Sequence, residues 1–416
     1  MARGSFHRGR DLPGGAMRGK AEILLILSLA LMVRLVFVHH WGSTLTLNSD
    51  DVGYINSAKL WLEKGVFTYV RPALTLSPEE IRPSAYITPG YPLFLAFFLK
   101  LAPESRALAL ARYAQVLLSV ASVFFVYRLG SRWGKGELAA ALAALYPPFI
   151  LLSGLLLTET LFTFLLLLFL DQWLEARENS FRWFLLGLIG GLATLVRPTG
   201  VVLVGLALGG LAWEIWRRKQ LFKALLLCLL GFCLVLSPWW VRNYLTFHRL
   251  IFLSTGGGNP LLLGTYVELE GIEHGWNPYW PVGRTPDETS ALQQAYALKR
   301  LREGFSRQPK RYLYWYTWGK FKLLWGKVFL WGGEDKLPQT FTWWFHRALL
   351  LAGGTGLLLL LVRRAEGGGK ILALLAAFTL VHLITCAYCR YALPLLPVLA
   401  ACAAAWWPSL RASPAR

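Results

Sequence analysis

The stretch Leu47-Asn-Ser-Asp-Asp-Val-Gly-Tyr54 sets two adjacent carboxylates, Asp50 and Asp51, shortly after an apolar run from about Ala21 to Val38. A run of that length approaches the ~20 residues that cross a ~30 Å hydrocarbon layer. The acid pair therefore reads as the first polar element on the far side of a membrane from the N-terminus. Composition agrees: 55% of the 416 residues are hydrophobic, 16% are charged, and mean hydropathy is positive. A soluble domain averages about 45–50% apolar and about 25% charged residues. The expectation is an all-α polytopic membrane protein.

Met1 to Lys20 is basic and poor in apolar residues, and no small-residue cleavage site precedes Asp50, so the first apolar run is expected to be a retained span. The net charge of +20 fits basic cytoplasmic loops facing anionic lipid, and nucleic acid is not expected as a partner. The five cysteines, Cys228, Cys233, Cys386, Cys389 and Cys402, all fall in apolar segments, which argues against a disulfide framework. His382, Cys386 and Cys389 have helical spacing, but small buried hydrophobes explain the cysteines better than a metal site does.

About ten transmembrane helices are expected. After the first, they run roughly over 107–129, 138–152, 155–173, 184–196, 200–216, 224–241, 342–362, 371–388 and 391–407. A basic tail (1–20) precedes a transmembrane module (21–241) with a large first outer loop (39–92). A long second outer loop (242–341) and C-terminal spans (342–416) follow. Within the first loop, Tyr54, Ala58 and Trp61 predict an amphipathic helix over Asp51 to Glu63, lying at the interface. Tyr91 to Leu101 is apolar but too short to cross.

Lys and Arg mark cytoplasmic loops. Alternation from a cytoplasmic N-terminus puts Arg132 and Lys135, then Arg177 and Arg182, then Arg217, Arg218, Lys219 and Lys223, then Arg363, Arg364 and Lys370 inside. The C-terminal tail with Arg411 and Arg416 falls inside as well.

On that topology Asp50 and Asp51 lie outside, Glu159 and Arg197 sit at outer ends of spans, Arg242 leaves a span on the outside, and Arg390 opens the last one there. A charge deep in a spanning helix costs about 2.5–3.5 kcal/mol on the insertion scale. Any one of these residues could snorkel to water. The set, gathered on one leaflet opposite an acidic pair, points to a site for an anionic lipid headgroup and a sugar.

In the second outer loop, basic and aromatic residues alternate from Lys310 to Lys327, with Lys320 among them, as in an interfacial helix. This reads first as an anchor to anionic lipid, and one of its lysines could also meet a phosphate. The glycine-rich Ser254-Thr-Gly-Gly-Gly-Asn259 lacks a Walker lysine and reads equally well as a turn. No Ser–His pairing is evident, so hydrolase chemistry is not expected.

Asp50-Asp51-Val-Gly-Tyr54, Pro89-Gly-Tyr91-Pro92, Thr158-Glu159, Arg197-Pro198, Trp239-Trp-Val-Arg242-Asn243 and Arg390-Tyr391 occur in this order. In that order the chain resembles the C-type integral-membrane glycosyltransferases, above all the group of protein O-mannosyltransferases and lipid A aminoarabinose transferase. The resemblance implies a many-helix fold with juxtamembrane helices in the first outer loop. It also implies a polyprenyl-phosphate-linked sugar donor and an active site at the outer face of a plasma membrane. By similarity, Asp50 or Asp51 is the base and Glu159 a second acid lining the cavity. Arg197, Arg242 and Arg390 are candidates for the donor phosphate, with Tyr54, Tyr91, Lys320 and Tyr391 as further substrate contacts.

The doublet is Asp-Asp where protein mannosyltransferases more typically show Asp-Glu, so lipid, glycan and protein acceptors all stay open. No large soluble domain is expected after the last span, so the outer loops are expected to recognise the acceptor. No cofactor is required, since arginine can offset the leaving phosphate's charge, although an acidic pair could also hold Mg²⁺ or Mn²⁺. A transporter or lipid flippase is the competing class, and it would place ionisable groups near mid-membrane and on both sides.

Overall fold

The computed structural model describes residues 13–70, 81–176, 179–217, 222–272 and 277–407. The residues before Pro13, together with Arg71, Arg177, Arg218, Lys219, Arg411 and Arg416, lie outside them. The described chain is helical, with no strand among the described residues.

Helix α1 (Pro13–Trp41) begins inside the segment expected to be a tail. In the following connection come α2 (Asp50–Lys64) and the short apolar α3 (Gly90–Leu101). Two carboxylates in its first turn complement the α2 dipole, and Gly65 closes the helix in the left-handed region at φ 67°. Next are α4 (Glu104–Ser131), α5 (Gly136–Leu145), α6 (Pro147–Gly154), α7 (Thr158–Glu175), α8 (Ser180–Val196), α9 (Val201–Arg217) and α10 (Phe222–Phe247). The 242–341 segment holds α11 (Gly258–Gly264), α12 (Pro286–Arg307), α13 (Pro309–Tyr314) and α14 (Lys320–Gly326). The chain then returns to the bundle with α15 (Gln339–Val362), α16 (Gly368–Ile384), α17 (Cys389–Ala392) and α18 (Leu396–Ala403).

Each of the ten expected apolar segments overlaps a helix or a run of short helices, although 371–388 extends past the end of α16 at Ile384. Among the described residues, six helices are long and apolar enough to cross a membrane, or seven if α5 and α6 form one bent span. The expected count of ten is not established, because α8 and α16 fall short of that length and α7 carries the three acids Glu159, Asp171 and Glu175 in its 18 residues.

One buried apolar core joins residues of α1, α4 to α10, α15, α16 and α18. Small residues let backbones meet, as is common between membrane helices. A Cβ on Gly187 of α8 would lie 2.0 Å from the Cys228 carbonyl of α10.

The break between α5 and α6 has a local cause. Pro147 and Pro148 have no N–H for the carbonyls of Ala143 and Ala144, four residues before each. The two helices meet at a bend of 57°. Arg34 of α1, fully buried, supplies the missing donors. Its Nη1 donates to Ala144 O (2.8 Å), its Nη2 to Ala143 O (3.3 Å) and its Nε to Ser119 Oγ (2.8 Å). At the opposite end of the bundle, buried Asp171 accepts from Arg128 Nε (3.1 Å), and Glu175 from Arg132 Nη2 (2.5 Å).

The 242–341 segment is fastened to the first connection. Thr255 N–H donates to Ala85 O (2.8 Å), and the Asp287 carboxylate accepts from Ala85 N–H (3.3 Å) and from the Thr255 hydroxyl. Within Ser254–Asn259, Gly256 serves this packing: a Cβ there would lie 2.3 Å from Tyr86 O. The basic–aromatic run is helical but interrupted by a π turn over Trp315–Gly319. It exposes Leu313 and Trp318 and buries Trp315 and Lys320. The expectation that His382, Cys386 and Cys389 share a helical face does not hold. α16 ends at Ile384, leaving Cys386 in the turn that follows and Cys389 at the start of α17.

Candidate active site

Four charged groups from four separate elements meet at one end of the bundle. Asp50 comes from the first turn of α2, Glu159 from the first turn of α7, Arg197 from the residue that ends α8, and Arg390 from α17. Arg390 lies between the acids, with Nη2 2.5 Å from Asp50 Oδ2 and Nε 2.8 Å from Glu159 Oε1. Arg197 Nη1 reaches the same Glu159 oxygen at 2.9 Å. Two acids and two arginines cancel in charge, which is what allows so much charge to sit so deep.

Exposure separates their roles. The Glu159 side chain is 0% exposed, Arg390 11%, Arg197 12% and Asp50 33%. Glu159 therefore does not line the cavity as expected. It is enclosed and holds both guanidinium groups in place, while Asp50 is the acid of this cluster open to solvent. Burial raises the Asp50 pKa, but the charge and hydrogen bond of Arg390 more than offset it and hold the group below its ordinary value. The Tyr69 hydroxyl, 3.3 Å from Oδ1, acts in the same direction as Arg390.

The neighbouring Asp51 is used differently. Its Oδ2 accepts from Thr46 Oγ1 (2.5 Å) and Leu47 N–H (2.9 Å), and its Oδ1 from Ser49 N–H (3.0 Å). It folds the turn that delivers Asp50.

Tyr54 packs edge-on against Tyr91 at 5.2 Å between ring centres. The buried Tyr91 donates its hydroxyl to Gln115 Oε1 (2.7 Å), and Gln115 in turn donates to Leu155 O (2.8 Å), just before α7. Tyr391 stacks on His382 at 4.8 Å and lies beneath Arg197 at 5.5 Å and Arg390 at 5.7 Å.

Two expected phosphate contacts lie elsewhere. Arg242 clamps the first connection, donating to Ser84 O and Phe67 O (3.0 Å each) over the Phe67 and Trp239 rings. Lys320, fully buried, donates Nζ to Leu383 O (2.9 Å) and Thr385 O (2.6 Å). Those carbonyls are left over where α16 ends. Each cation had suitable charge and position in the sequence, but backbone carbonyls of distant segments take it up.

Sequence reading missed Tyr69 and Tyr86. Their rings stack at 5.1 Å, which backs the Tyr69 hydroxyl against Asp50. They lie outside the helices on either side of residues 71–80, where no periodicity marks them. The sequence offers His382 only as a metal ligand, and its place beneath Tyr391 is a tertiary contact.

The family model for dolichyl-phosphate-mannose-protein mannosyltransferase matches residues 84–241. No curated protein matches the chain. Among solved structures, the Archaeoglobus fulgidus oligosaccharyltransferase, in complex with Zn and sulfate, superposes with a TM-score of 0.51 at 16% identity, over 91% of this chain. This chain spans about half of that one, 48%. ArnT from Cupriavidus metallidurans bound to undecaprenyl phosphate aligns at a TM-score of 0.39 and 16% identity, over 92% of this chain and 77% of the other. The apo form aligns at 0.37 and 15%, over 93% and 78%. The family match over 84–241 contains Glu159 and Arg197, and the Archaeoglobus structure shares the chain's helical fold.

Proposed function

We propose that the protein moves a sugar from a polyprenyl-phosphate-linked donor to an acceptor hydroxyl at the outer face of the membrane, with inversion and with Asp50 as general base. The observation behind this reading is Arg390, shared between the solvent-accessible Asp50 and the enclosed Glu159. The matched family's description, which names a polyprenyl-phosphate sugar, supports the donor class.

In the reaction the acceptor oxygen bonds to the anomeric carbon and its proton passes to Asp50. The bond from anomeric carbon to phosphate oxygen breaks, and its electron pair stays on the lipid phosphate. That leaving group is already a stable anion and needs positive charge more than a proton. Arg390 and Arg197 supply it, and a guanidinium matches a phosphate bidentately. Before the donor arrives, Arg390 keeps Asp50 a weak base. When Arg390 turns to the phosphate, the largest effect opposing burial at Asp50 is removed and its basicity rises. The base is thus strengthened when there is something to transfer.

The fold relative from Archaeoglobus is described with Zn. The residues here do not fit such an ion. Asp51 is committed to its own turn, and Arg390 occupies the place between Asp50 and Glu159 that a cation would take. No three His, Cys, Asp or Glu side chains gather into a metal-binding group among the described residues. No step is routed through a metal.

The test supplies a panel of radiolabelled polyprenyl-phosphate sugars to purified wild type and Asp50→Asn, with membrane extract as the source of acceptor. Wild type should consume one donor, and the variant should be about 10²–10⁴-fold slower while remaining folded. Equal turnover by both, or labelled lipid moving between vesicle leaflets with no donor consumed, would overturn the proposal.

A further inference from the structure

A second polar site lies in the 242–341 segment. A groove of about 260 Å³ runs between the turn after α11, the C-terminal half of α12 and the start of α13. That is below the roughly 300–1,000 Å³ of sites for drug-sized ligands, so it suits one small polar unit. Arg300 forms one wall. Its guanidinium lies flat on Tyr266, 3.8 Å from the ring centre, and its Nε donates to Thr265 Oγ1 (2.9 Å). Both contacts fix the group, and among the described residues its Nη1 and Nη2 make no hydrogen bond. Arg307, one helical step of seven residues further along α12, lies exposed on the same groove. The third arginine, Arg311, is neutralised by Glu270 (2.7 Å). Setting that pair aside, Arg300 and Arg307 outweigh Glu303, so the described lining carries an excess positive charge.

Its aromatic wall leads to the cluster already described. Tyr266 belongs to one apolar group with Tyr388 and Tyr391, and Tyr391 lies beneath Arg197 and Arg390. The turn at the groove's lip holds Glu268 at φ 53° and Leu269 at φ 61°. That left-handed conformation is costly for such residues and is kept where surroundings impose it.

We propose that this groove is a subsite for an anionic sugar of the acceptor, one bearing phosphate or carboxylate, with Arg300 and Arg307 on the acidic group and Tyr266 against the ring. The inference rests on the transferase reading and adds the substrate class: the acceptor is an acidic glycan.

The test is saturation-transfer NMR on the full chain in nanodiscs, with mannose 6-phosphate and neutral mannose as probes. Wild type should bind the sugar phosphate at least tenfold tighter than mannose. Arg300→Gln and Arg307→Gln should each weaken it about tenfold or more, as loss of charge-assisted hydrogen bonds implies. Arg307 is exposed, so its variant serves if Arg300→Gln unfolds, and Arg300→Lys should recover part of the affinity. Equal binding of both probes, or unchanged affinity in the two groove variants, would overturn the proposal. Binding that follows the groove variants in a protein that transfers no sugar would confirm the site and sink the transferase reading instead.

Discussion

Replacing Arg34 by lysine tests why the bent pair α5–α6 is stable. The change keeps the positive charge, so the cost of burying a charge is common to both proteins. What goes is the fork that reaches Ala143 O, Ala144 O and Ser119 Oγ together. A lysine is a single point donor on a flexible stem and cannot span all three. Hydrogen bonds between membrane helices measure about 0.6 kcal/mol on average and about 1.7 kcal/mol at most. A buried carbonyl left unpaired costs about 1–3 kcal/mol. With two carbonyls at stake, Arg34→Lys should lose about 1–4 kcal/mol. The decisive comparison is the same change in a Pro147→Ala/Pro148→Ala background. There the restored N–H groups can bond Ala143 and Ala144 themselves, and the lysine should cost about 1–2 kcal/mol less. Thermal unfolding of the four proteins in one detergent reads the cycle. If the two changes add to within about 0.5 kcal/mol, Arg34 does not answer the carbonyls that the prolines orphan.

Asp51→Asn should keep most of its transfer rate but lose about 1.5–3 kcal/mol, the usual worth of a hydrogen bond to a charged group; a rate loss matching that of Asp50→Asn would move the base one residue along. Tyr69→Phe removes a hydrogen bond that lowers the Asp50 pKa. The acid limb of its kcat/KM profile should therefore lie at higher pH than in wild type, and coincident limbs would separate Tyr69 from the base. Burial draws Lys320 down to about 7 from 10.5. Between those values the unfolded chain binds more protons than the folded one, so stability should rise with pH through that window and be lost as pH falls through it. Melting temperatures across the window should show that slope in wild type and a flatter one in Lys320→Met.

Much of this architecture is local and therefore legible in the sequence. Apolar runs must bury their backbone polar groups as helices in lipid, which marks the helical segments from Ala21 onward. Amphipathic spacing around Tyr54, Ala58 and Trp61 marks α2, and the short apolar Tyr91–Leu101 marks α3. Charges standing at helix ends single out Asp50, Glu159, Arg197 and Arg390 as candidates, because such residues are costly unless partnered. Which partner each one finds is decided by contacts between residues far apart in sequence. Asp50 meets Arg390 across 340 positions, Arg242 turns to carbonyls of the first connection, and Lys320 turns to the end of α16. Arg34 reads in sequence as one charge within an apolar run, and only folding brings it to the carbonyls that Pro147 and Pro148 leave open. Of the adjacent Asp50 and Asp51, the same residue type in the same turn, one faces an arginine and the other its own backbone. Sequence position could not separate them, because the difference lies in which side of the helix start each side chain leaves and what has packed there.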